Sequence, residues 1–192
     1  EPAEGLLNSL AVCGSIEQAL DERSVLVADG GDFVGTASYI TAPRSPLSWL
    51  DPGAFGTLGV GAGFALGAKL VRPESEVWIL YGDGSVGYTL PEMDTFARHG
   101  VGVIAVVGND AGWTQIARDQ VVLLQDDVGT VLERTDYHRA AEGFGARGWC
   151  VDRQEQLQDV LSQAKQAASE GRPVLINAHI GKTDFRKGSM SM

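Results

Sequence analysis

Two acidic turns, each placed directly after an apolar segment, are the features of this sequence best suited to chemistry. Asp83 follows the apolar segment 77–81, and Asp110 follows a second apolar segment at 101–107. If both segments are neighbouring strands of a parallel sheet, their carboxyl ends open into one crevice and the two aspartates lie side by side. Two carboxylates in such a crevice suit a hard divalent cation with attached phosphate groups.

The residues around Asp83 add groups that could hold a phosphate. Gly82 and Gly84 allow a sharp turn and let backbone N–H groups approach an anion. Ser85 adds a hydroxyl group at the start of the next element. A diphosphate with Mg2+ fits this pattern, although a Gly-Asp-Gly sequence or an Asn-Asp pair taken alone is more often a simple turn.

Length and composition predict one globular domain with a negative overall charge. An anionic ligand must therefore be held by particular groups at its site rather than by the overall charge of the protein. The chain has 192 residues, a hydrophobic content of 44% and a formal charge of -10. This acidic balance argues against nucleic acid or an anionic membrane surface as the main partner. No apolar segment reaches the roughly 18 residues that a membrane helix needs.

The cysteines indicate the compartment. Cys13 and Cys150 lie far apart and are not spaced as a metal-binding pair. We therefore expect free thiols in a reducing, intracellular compartment, most simply the cytoplasm. The sequence begins at Glu1 rather than at methionine, so we expect a piece of a longer protein in which an anchor or targeting segment could lie upstream.

Apolar patterns and turn residues predict the elements that position the two aspartates. Helices are expected in 1–20, 51–71, 90–97, 135–143 and 157–168, and strands at 25–28, 77–81, 101–107, 148–151 and 174–180, with 35–50 irregular. This alternation predicts an α/β fold with a doubly wound, mostly parallel sheet and helices on both faces. We expect one domain over 1–181 and a polar tail or flap over 182–192.

Three glycines in the segment 51–71, Gly59, Gly63 and Gly67, are expected to share one face of a helix. Glycine in a helix costs roughly 1 kcal/mol relative to alanine. A close approach of another backbone or of a ligand to this face is the expected compensation.

Several segments resemble the thiamine-diphosphate-binding signature of the acetolactate synthase and 2-hydroxyacyl-CoA lyase superfamily. They are GDGS at 82–85, followed by the interval from Ser85 to Gly108 and then Asn109, together with GTLGVGAGFALGA at 56–68, GNDAGWTQ at 108–115 and GKTDFRKGS at 181–189. The resemblance covers nearly the whole chain and is strongest to the acetolactate-synthase-like 2-hydroxyacyl-CoA lyases. It implies the diphosphate-binding, C-terminal domain of such an enzyme, with thiamine diphosphate and Mg2+ as cofactors.

Carried over position by position, the resemblance implies a metal site made of Asp83, Asp110 and the carbonyl group of Gly112. Most of the superfamily has asparagine where this chain has Asp110. Two carboxylates and a diphosphate would then surround one ion, which would favour tighter metal binding or a different metal. The implied contacts to thiamine diphosphate are Gly56, Leu58, Gly82, Gly84, Ser85, Asn109 and Trp113.

The upstream contacts have distinct implied roles. The resemblance places the Gly56 carbonyl against the 4'-amino group of the aminopyrimidine and the Leu58 amide against its ring nitrogen, with the Leu58 side chain bending the cofactor. Trp113 faces either the reacting groups or the packing of its own loop. The glutamate that protonates the aminopyrimidine in this superfamily has no counterpart in this chain, so no catalytic residue is assigned here.

The resemblance therefore implies a chain that depends on a pyrimidine-binding domain, in the same chain or in a partner, within a homodimer or homotetramer. The expected activity is cleavage of a 2-hydroxyacyl-CoA substrate to an aldehyde and formyl-CoA. One alternative is an acetolactate-synthase-like decarboxylase or carboligase acting on 2-oxo acids. A second alternative, motivated by the missing glutamate, is a non-catalytic module that holds the cofactor for assembly.

Overall fold

A single parallel sheet forms the centre of the computed structural model, which describes residues 5–188. Its seven strands are β1 Leu7–Asn8, β2 Val25–Asp29, β3 Trp49–Leu50, β4 Val77–Gly82, β5 Val103–Asn109, β6 Arg147–Val151 and β7 Val174–Gly181. Their order is β3-β2-β4-β5-β7, and both β6 and β1 pair with the remaining edge of β7. Every pair of these strands is parallel.

Eight α-helices pack around this sheet in the described part of the chain. They are α1 Ser9–Ala19, α2 Asp32–Ala37, α3 Gly61–Val71, α4 Asp83–Thr89, α5 Glu92–His99, α6 Thr114–Leu124, α7 Tyr137–Gly143 and α8 Gln154–Ser169. Helices α1, α2 and α8 share one apolar core with the sheet, whereas α3, α5 and α7 share the core on its opposite face. The predicted doubly wound α/β fold is confirmed.

The two central strands show why the sequence folds in this way. All side chains of 77–81 and 103–109 are buried, because β4 and β5 are covered by helices on both faces. Along β4, Trp78 and Leu80 enter one core while Ile79 and Tyr81 enter the other. Continuous apolar sequence is typical of such doubly covered parallel strands.

The pairing of these two strands positions the acidic turns. Gly82 pairs with Gly108 in the parallel ladder, so β4 and β5 end together at the same edge of the sheet. Asp83 begins α4 directly after β4, and Asp110 follows the last residue of β5. The sequence prediction that these turns share one edge is confirmed.

Two local expectations were wrong. The predicted helix at the start of the chain begins only at Ser9, because residues 7–8 extend β7 as a short strand. The region 35–50 is not wholly irregular, since α2 extends into it and β3 lies at its end. The first four residues lie outside the described part of the chain.

The expectation that Gly59, Gly63 and Gly67 share one helix face that another group closely approaches also fails within this chain. Helix α3 begins at Gly61, so Gly59 precedes the helix and has a positive φ of 87°. A Cβ atom added at Gly63 or Gly67 would meet no atom within 4 Å, so neither glycine makes a close contact among the described residues. Their face of α3 is open.

The segment after β7 folds back over the sheet edge rather than extending away. The rings of Tyr39 and Phe185 meet edge to face at 5.9 Å. The guanidinium group of Arg186 covers Gly35, where a Cβ atom would lie only 1.2 Å from Nη1. The predicted boundary at 181 coincides with the end of β7, while 189–192 of the predicted tail lie outside the described residues.

Candidate functional site

A cleft of about 870 Å³ opens at the carboxyl ends of β2, β4 and β5, where a doubly wound sheet binds ligands. Ten residues were assigned to cofactor or metal from the sequence, and all except Asn109 line this cleft. Those nine are Gly56, Leu58, Gly82, Asp83, Gly84, Ser85, Asp110, Gly112 and Trp113. The fold thus brings the 56–58 segment and the two acidic turns to one cavity.

Asp83 is held in place by backbone groups from both acidic turns. Its side chain accepts a hydrogen bond from Gly84 N–H at 2.8 Å, and its other oxygen accepts one from Gly112 N–H at 3.0 Å. The residue is 2% exposed. Burial raises the pKa of this carboxyl group, and the hydrogen bonds from Gly112 and Gly84 partly offset that rise.

Asp110 lies in the same electrostatic environment. The pKa of its carboxyl group is raised to about 6, chiefly by burial and also by the negative charge of Asp83, while Thr114 and Lys182 offset part of the rise. The effect of the Asp83 charge on the pKa of Asp110 is consistent with two carboxylates at one edge of the sheet, as expected if the two apolar segments are neighbouring strands. The influence of Lys182, which follows β7, had no signal in the sequence.

A buried hydroxyl oxygen beside Asp110 makes no hydrogen bond of standard geometry within residues 5–188. The Thr114 Oγ1 atom makes no hydrogen bond among the described residues, although it lies near enough to Asp110 to lower that pKa. A buried polar atom without a partner commonly indicates a missing ion, water or ligand. Two buried carboxylates and this hydroxyl form the oxygen-rich environment that a hard cation such as Mg2+ prefers.

The cation would need further ligands from outside the protein. Among the described residues, no group of three or more histidine, cysteine, aspartate or glutamate side chains could hold a metal ion. Mg2+ commonly binds through one or two carboxylates together with substrate phosphates and water. The site is therefore suited to a metal that arrives with a phosphorylated ligand.

Trp113 packs directly over the Gly84 backbone. A Cβ atom added at Gly84 would lie 2.5 Å from the indole ring, which is closer than real Cβ contacts. Trp113 also lines the cleft, and its backbone N–H group donates to the Thr130 carbonyl at 2.8 Å. The ring therefore packs against the turn that contains Gly84 and borders the cleft, and its contact with the cofactor stays a prediction.

This contact predicts opposite outcomes for two glycines of α4. Gly84→Ala should displace the Trp113 ring and weaken thiamine diphosphate binding by about 10-fold, corresponding to about 1.4 kcal/mol. Gly87→Ala is the matched control, because a Cβ atom there meets nothing within 4 Å, and it should stabilise the helix by up to about 1 kcal/mol. Thermal unfolding measures the stability of each variant, and calorimetric titration measures its affinity for thiamine diphosphate. Equal affinity and equal stability in the two variants would contradict the effect expected from the contact between Gly84 and Trp113.

Ser85 has a different hydrogen-bond pattern from the one expected. Its hydroxyl group lies 2.5 Å from the Asp29 carbonyl and 3.0 Å from the Gly82 carbonyl, so its proton is used inside the protein. The hydroxyl oxygen can still accept a hydrogen bond. Donation from the Ser85 hydroxyl to a diphosphate would require one of these internal bonds to break.

Asn109 turns away from the cleft. Its side-chain amide donates to the Asn177 side chain at 3.1 Å and to the Thr135 carbonyl at 3.2 Å, and the residue is fully buried. Successive residues of a strand point to opposite sides, which separates Asn109 from Asp110. These contacts are structural, and the assignment of Asn109 to the cofactor stays a prediction.

Asp29 is the buried residue at this edge that sequence reasoning missed. It ends β2 and is followed by two glycines, the same arrangement of strand, aspartate and glycine that marks Asp83 after β4. Its carboxylate accepts hydrogen bonds from the N–H groups of Gly59 and Gly61. The repeated arrangement at the ends of adjacent strands was the signal that could have revealed it.

The opposite wall of the cleft also contains charges that were not predicted. Asp32 at the start of α2 forms an ion pair with Arg118 of α6 at 2.5 Å, with both side chains largely buried. Arg186 contributes a cation from the segment after β7. The cleft is therefore bounded by α2 and α6 as well as by the two predicted turns.

Comparison with known proteins connects this geometry to a family. The family described as "Thiamine pyrophosphate enzyme, C-terminal TPP binding domain" matches residues 29–178. The chain belongs to this family. The predicted family is therefore confirmed. Residues that the sequence resemblance had assigned to the cofactor line the cleft of this thiamine pyrophosphate (thiamine diphosphate) binding domain.

Individual relatives of this thiamine pyrophosphate domain carry two kinds of name. The chain is 58% identical over its full length to 2-hydroxyacyl-CoA lyase 2 of Danio rerio and 56% identical over its full length to the protein of that name from Homo sapiens. It is 34% identical, over 89% of its length, to an acetolactate synthase large subunit of Mycobacterium tuberculosis. It spans only 31%, 30% and 31% of these three relatives, respectively.

Within residues 5–188, no helix has both the length and the apolar character needed to cross a bilayer.

Proposed function

We propose that this chain is the diphosphate-binding part of a thiamine-diphosphate-dependent carbon–carbon lyase that cleaves 2-hydroxyacyl-CoA to an aldehyde and formyl-CoA. The observation that supports it most is the 56–58% identity, over the whole chain, to proteins named 2-hydroxyacyl-CoA lyase 2. The cleft supports it independently, since both acidic turns and the 56–58 segment line one cavity.

The protein's own groups divide the work of holding the cofactor. Asp83, Asp110 and the Gly112 carbonyl would hold Mg2+, and Gly84 N–H already donates to Asp83 and so orients that carboxylate. Gly56 and Leu58 on the other side of the cleft would meet the aminopyrimidine. When bound, thiamine diphosphate supplies the electron sink for cleavage of a bond next to a carbonyl group.

The remainder of the protein would complete the site. The chain spans about 30% of the two relatives named 2-hydroxyacyl-CoA lyase 2 above, and none of the residues of α6 is buried. Four consecutive apolar residues of that helix, 121–124, are exposed beside the cleft wall formed by Ile116 and Trp113. We propose that a pyrimidine-binding domain, in this chain or in a second copy within a dimer or tetramer, covers this face and supplies the glutamate.

The proposed setting is an intracellular, reducing compartment. Support comes from Cys13, which is buried, and Cys150, which is exposed, since both are free thiols.

A product assay on the full-length protein tests the activity. With thiamine diphosphate and Mg2+, we expect formyl-CoA and an aldehyde from a 2-hydroxyacyl-CoA and little carbon dioxide from pyruvate. The reverse result would favour the 2-oxo-acid reaction, which the 34% identity to an acetolactate synthase keeps as the second candidate. Cofactor binding without either product, in a protein that lacks a pyrimidine domain, would favour the non-catalytic module.

A further inference from the structure

Asp29 is a buried carboxylate whose partners are all backbone or neutral groups. It is 1% exposed, and no cationic side chain within residues 5–188 forms an ion pair with it. Gly59 N–H donates to both carboxylate oxygens at 3.0 and 3.1 Å, and Gly61 N–H donates to Oδ2 at 2.7 Å. Burying a carboxylate is costly unless such donors compensate for lost water.

These donors belong to the first turn of α3 and the loop before it. Val60 occupies the N-cap position of α3, and its side chain cannot accept a hydrogen bond. Asp29 therefore caps this helix from a distant strand, and its negative charge also interacts favourably with the helix N-terminus. Gly59 has a φ of 87°, so the loop adopts a conformation that few other residues would tolerate.

The same residue contacts the opposite half of the cofactor site through its main chain. The Asp29 carbonyl accepts the Ser85 hydroxyl at 2.5 Å, and Asp29 pairs with Tyr81 in the ladder between β2 and β4. Ser85 lies in the first turn of α4, two residues after Asp83. The side chain of Asp29 is thus bound to the loop that follows Gly56 and Leu58, while its backbone is bound to the diphosphate turn.

We propose that Asp29 is a positioning residue that fixes the spacing between these two halves of the site. This inference rests on the proposed role of the chain in binding thiamine diphosphate. A ligand that spans both halves, as thiamine diphosphate would, depends on that spacing, whereas a ligand confined to the turn at 82–85 does not. The protein's own groups make these hydrogen bonds, so we expect the loop to be ordered before the cofactor binds.

Asp29→Asn in the full-length protein tests this role. The variant keeps the shape of the side chain but loses the negative charge and one of its two acceptor oxygens. The remaining oxygen can still accept from Gly61 N–H, whereas the amide nitrogen that replaces Oδ1 cannot accept from Gly59 N–H. We expect the affinity for thiamine diphosphate, measured by calorimetry with saturating Mg2+, to fall by about 10-fold or more, while the affinity for inorganic diphosphate with Mg2+ changes by less than about 3-fold. Equal losses for both ligands, or no loss for either, would overturn the proposal.

Ser24→Ala is the matched control. Ser24 precedes the other end of β2, is also buried and accepts a hydrogen bond from Asp21 N–H at 2.9 Å. Its loss should lower the thermal midpoint and leave both affinities unchanged, which separates general destabilisation from loss of spacing. If wild type itself fails to bind thiamine diphosphate, the proposed function fails, and that outcome is distinct from failure of Asp29→Asn.

Hydrogen exchange on the wild-type protein provides a test that needs no variant. The amide hydrogens of Gly59 and Gly61 should exchange slowly before any cofactor is added, because the Asp29 carboxylate already binds them. Rapid exchange that becomes slow only after thiamine diphosphate is added would show a loop ordered by the ligand. That result would overturn the proposal even if Asp29→Asn failed to fold.

Discussion

Asp83→Ala should weaken the Mg2+-dependent binding of thiamine diphosphate by at least about 100-fold, since loss even of a residue that only orients a metal ligand typically costs 10- to 100-fold. Asp83 is the expected metal ligand whose two oxygens are both oriented, one by Gly84 N–H and the other by Gly112 N–H. Its removal therefore deletes a ligand and also releases two backbone donors that hold the acidic turns together.

The measurement is a calorimetric titration of the full-length protein with thiamine diphosphate at fixed Mg2+. Asp94→Ala is the control, because Asp94 is an exposed aspartate of α5 whose ion pair with Arg98 lies on the surface; such pairs contribute little. Equal affinity in wild type and Asp83→Ala would remove Asp83 from the metal site. Equal losses in the two variants would point to general destabilisation instead.

Strand order allowed the centre of the site to be predicted from the sequence. Buried parallel strands read as continuous apolar segments, so β4 and β5 were visible as 77–81 and 101–107. Their acidic turns then had to meet, because β4 and β5 are neighbours whose carboxyl ends open to the same side. The local pattern predicts where each aspartate follows its strand, and the pairing of β4 with β5 then places both at one edge of the sheet.

Side-chain direction and long-range contacts could not be predicted in the same way. Asn109 and Asp110 are adjacent in sequence, yet one points to Asn177 and the other borders the cleft, and this choice depends on where β7 lies. Lys182 acts on Asp110 only because the chain reaches that edge through β7. Asp29 binds a loop some thirty residues away, so only tertiary structure reveals its partners.

Helix boundaries failed for a related reason. The segment 51–71 has helical apolar spacing, but Gly59 has a positive φ and binds Asp29, and α3 starts only at Gly61, ten residues after the predicted start. A sequence pattern reports the local preference for a helix, whereas the buried carboxylate determines where this helix begins. The wrong start predicted for α3 and the failure to identify Asp29 from the sequence therefore both involve the contact between Asp29 and the loop before α3.

Asp110→Asn should make the metal-free protein more stable at neutral pH. The pKa of the Asp110 carboxyl group rises from 3.8 to about 6 in the folded state because of burial and the charge of Asp83. Above pH 6 the carboxylate is ionised in both folded and unfolded states, so the full cost of burying the charge is present. A shift of this size corresponds to about 2–3 kcal/mol, which the neutral asparagine avoids.

The sign of the pH dependence distinguishes this explanation from altered packing. As pH falls from about 6 towards 4, folded Asp110 takes up a proton before the unfolded chain does, so the destabilisation in wild type is relieved. The stability advantage of Asp110→Asn, measured by urea unfolding of the metal-free full-length protein, should therefore be largest at pH 7.5 and small near pH 4. An advantage that is constant with pH would refute the electrostatic cause.

Adding Mg2+ with diphosphate should make wild type more stable than Asp110→Asn, which is the reverse of the order expected without metal. A divalent cation compensates two carboxylates better than one, so wild type should gain more stability from the ligand than Asp110→Asn. Because protonation competes with metal binding, the wild-type affinity should weaken as pH falls through about 6. If the variant bound Mg2+ and diphosphate as tightly as wild type at pH 7.5, Asp110 would have no role as a metal ligand, and the buried charge would need a different partner.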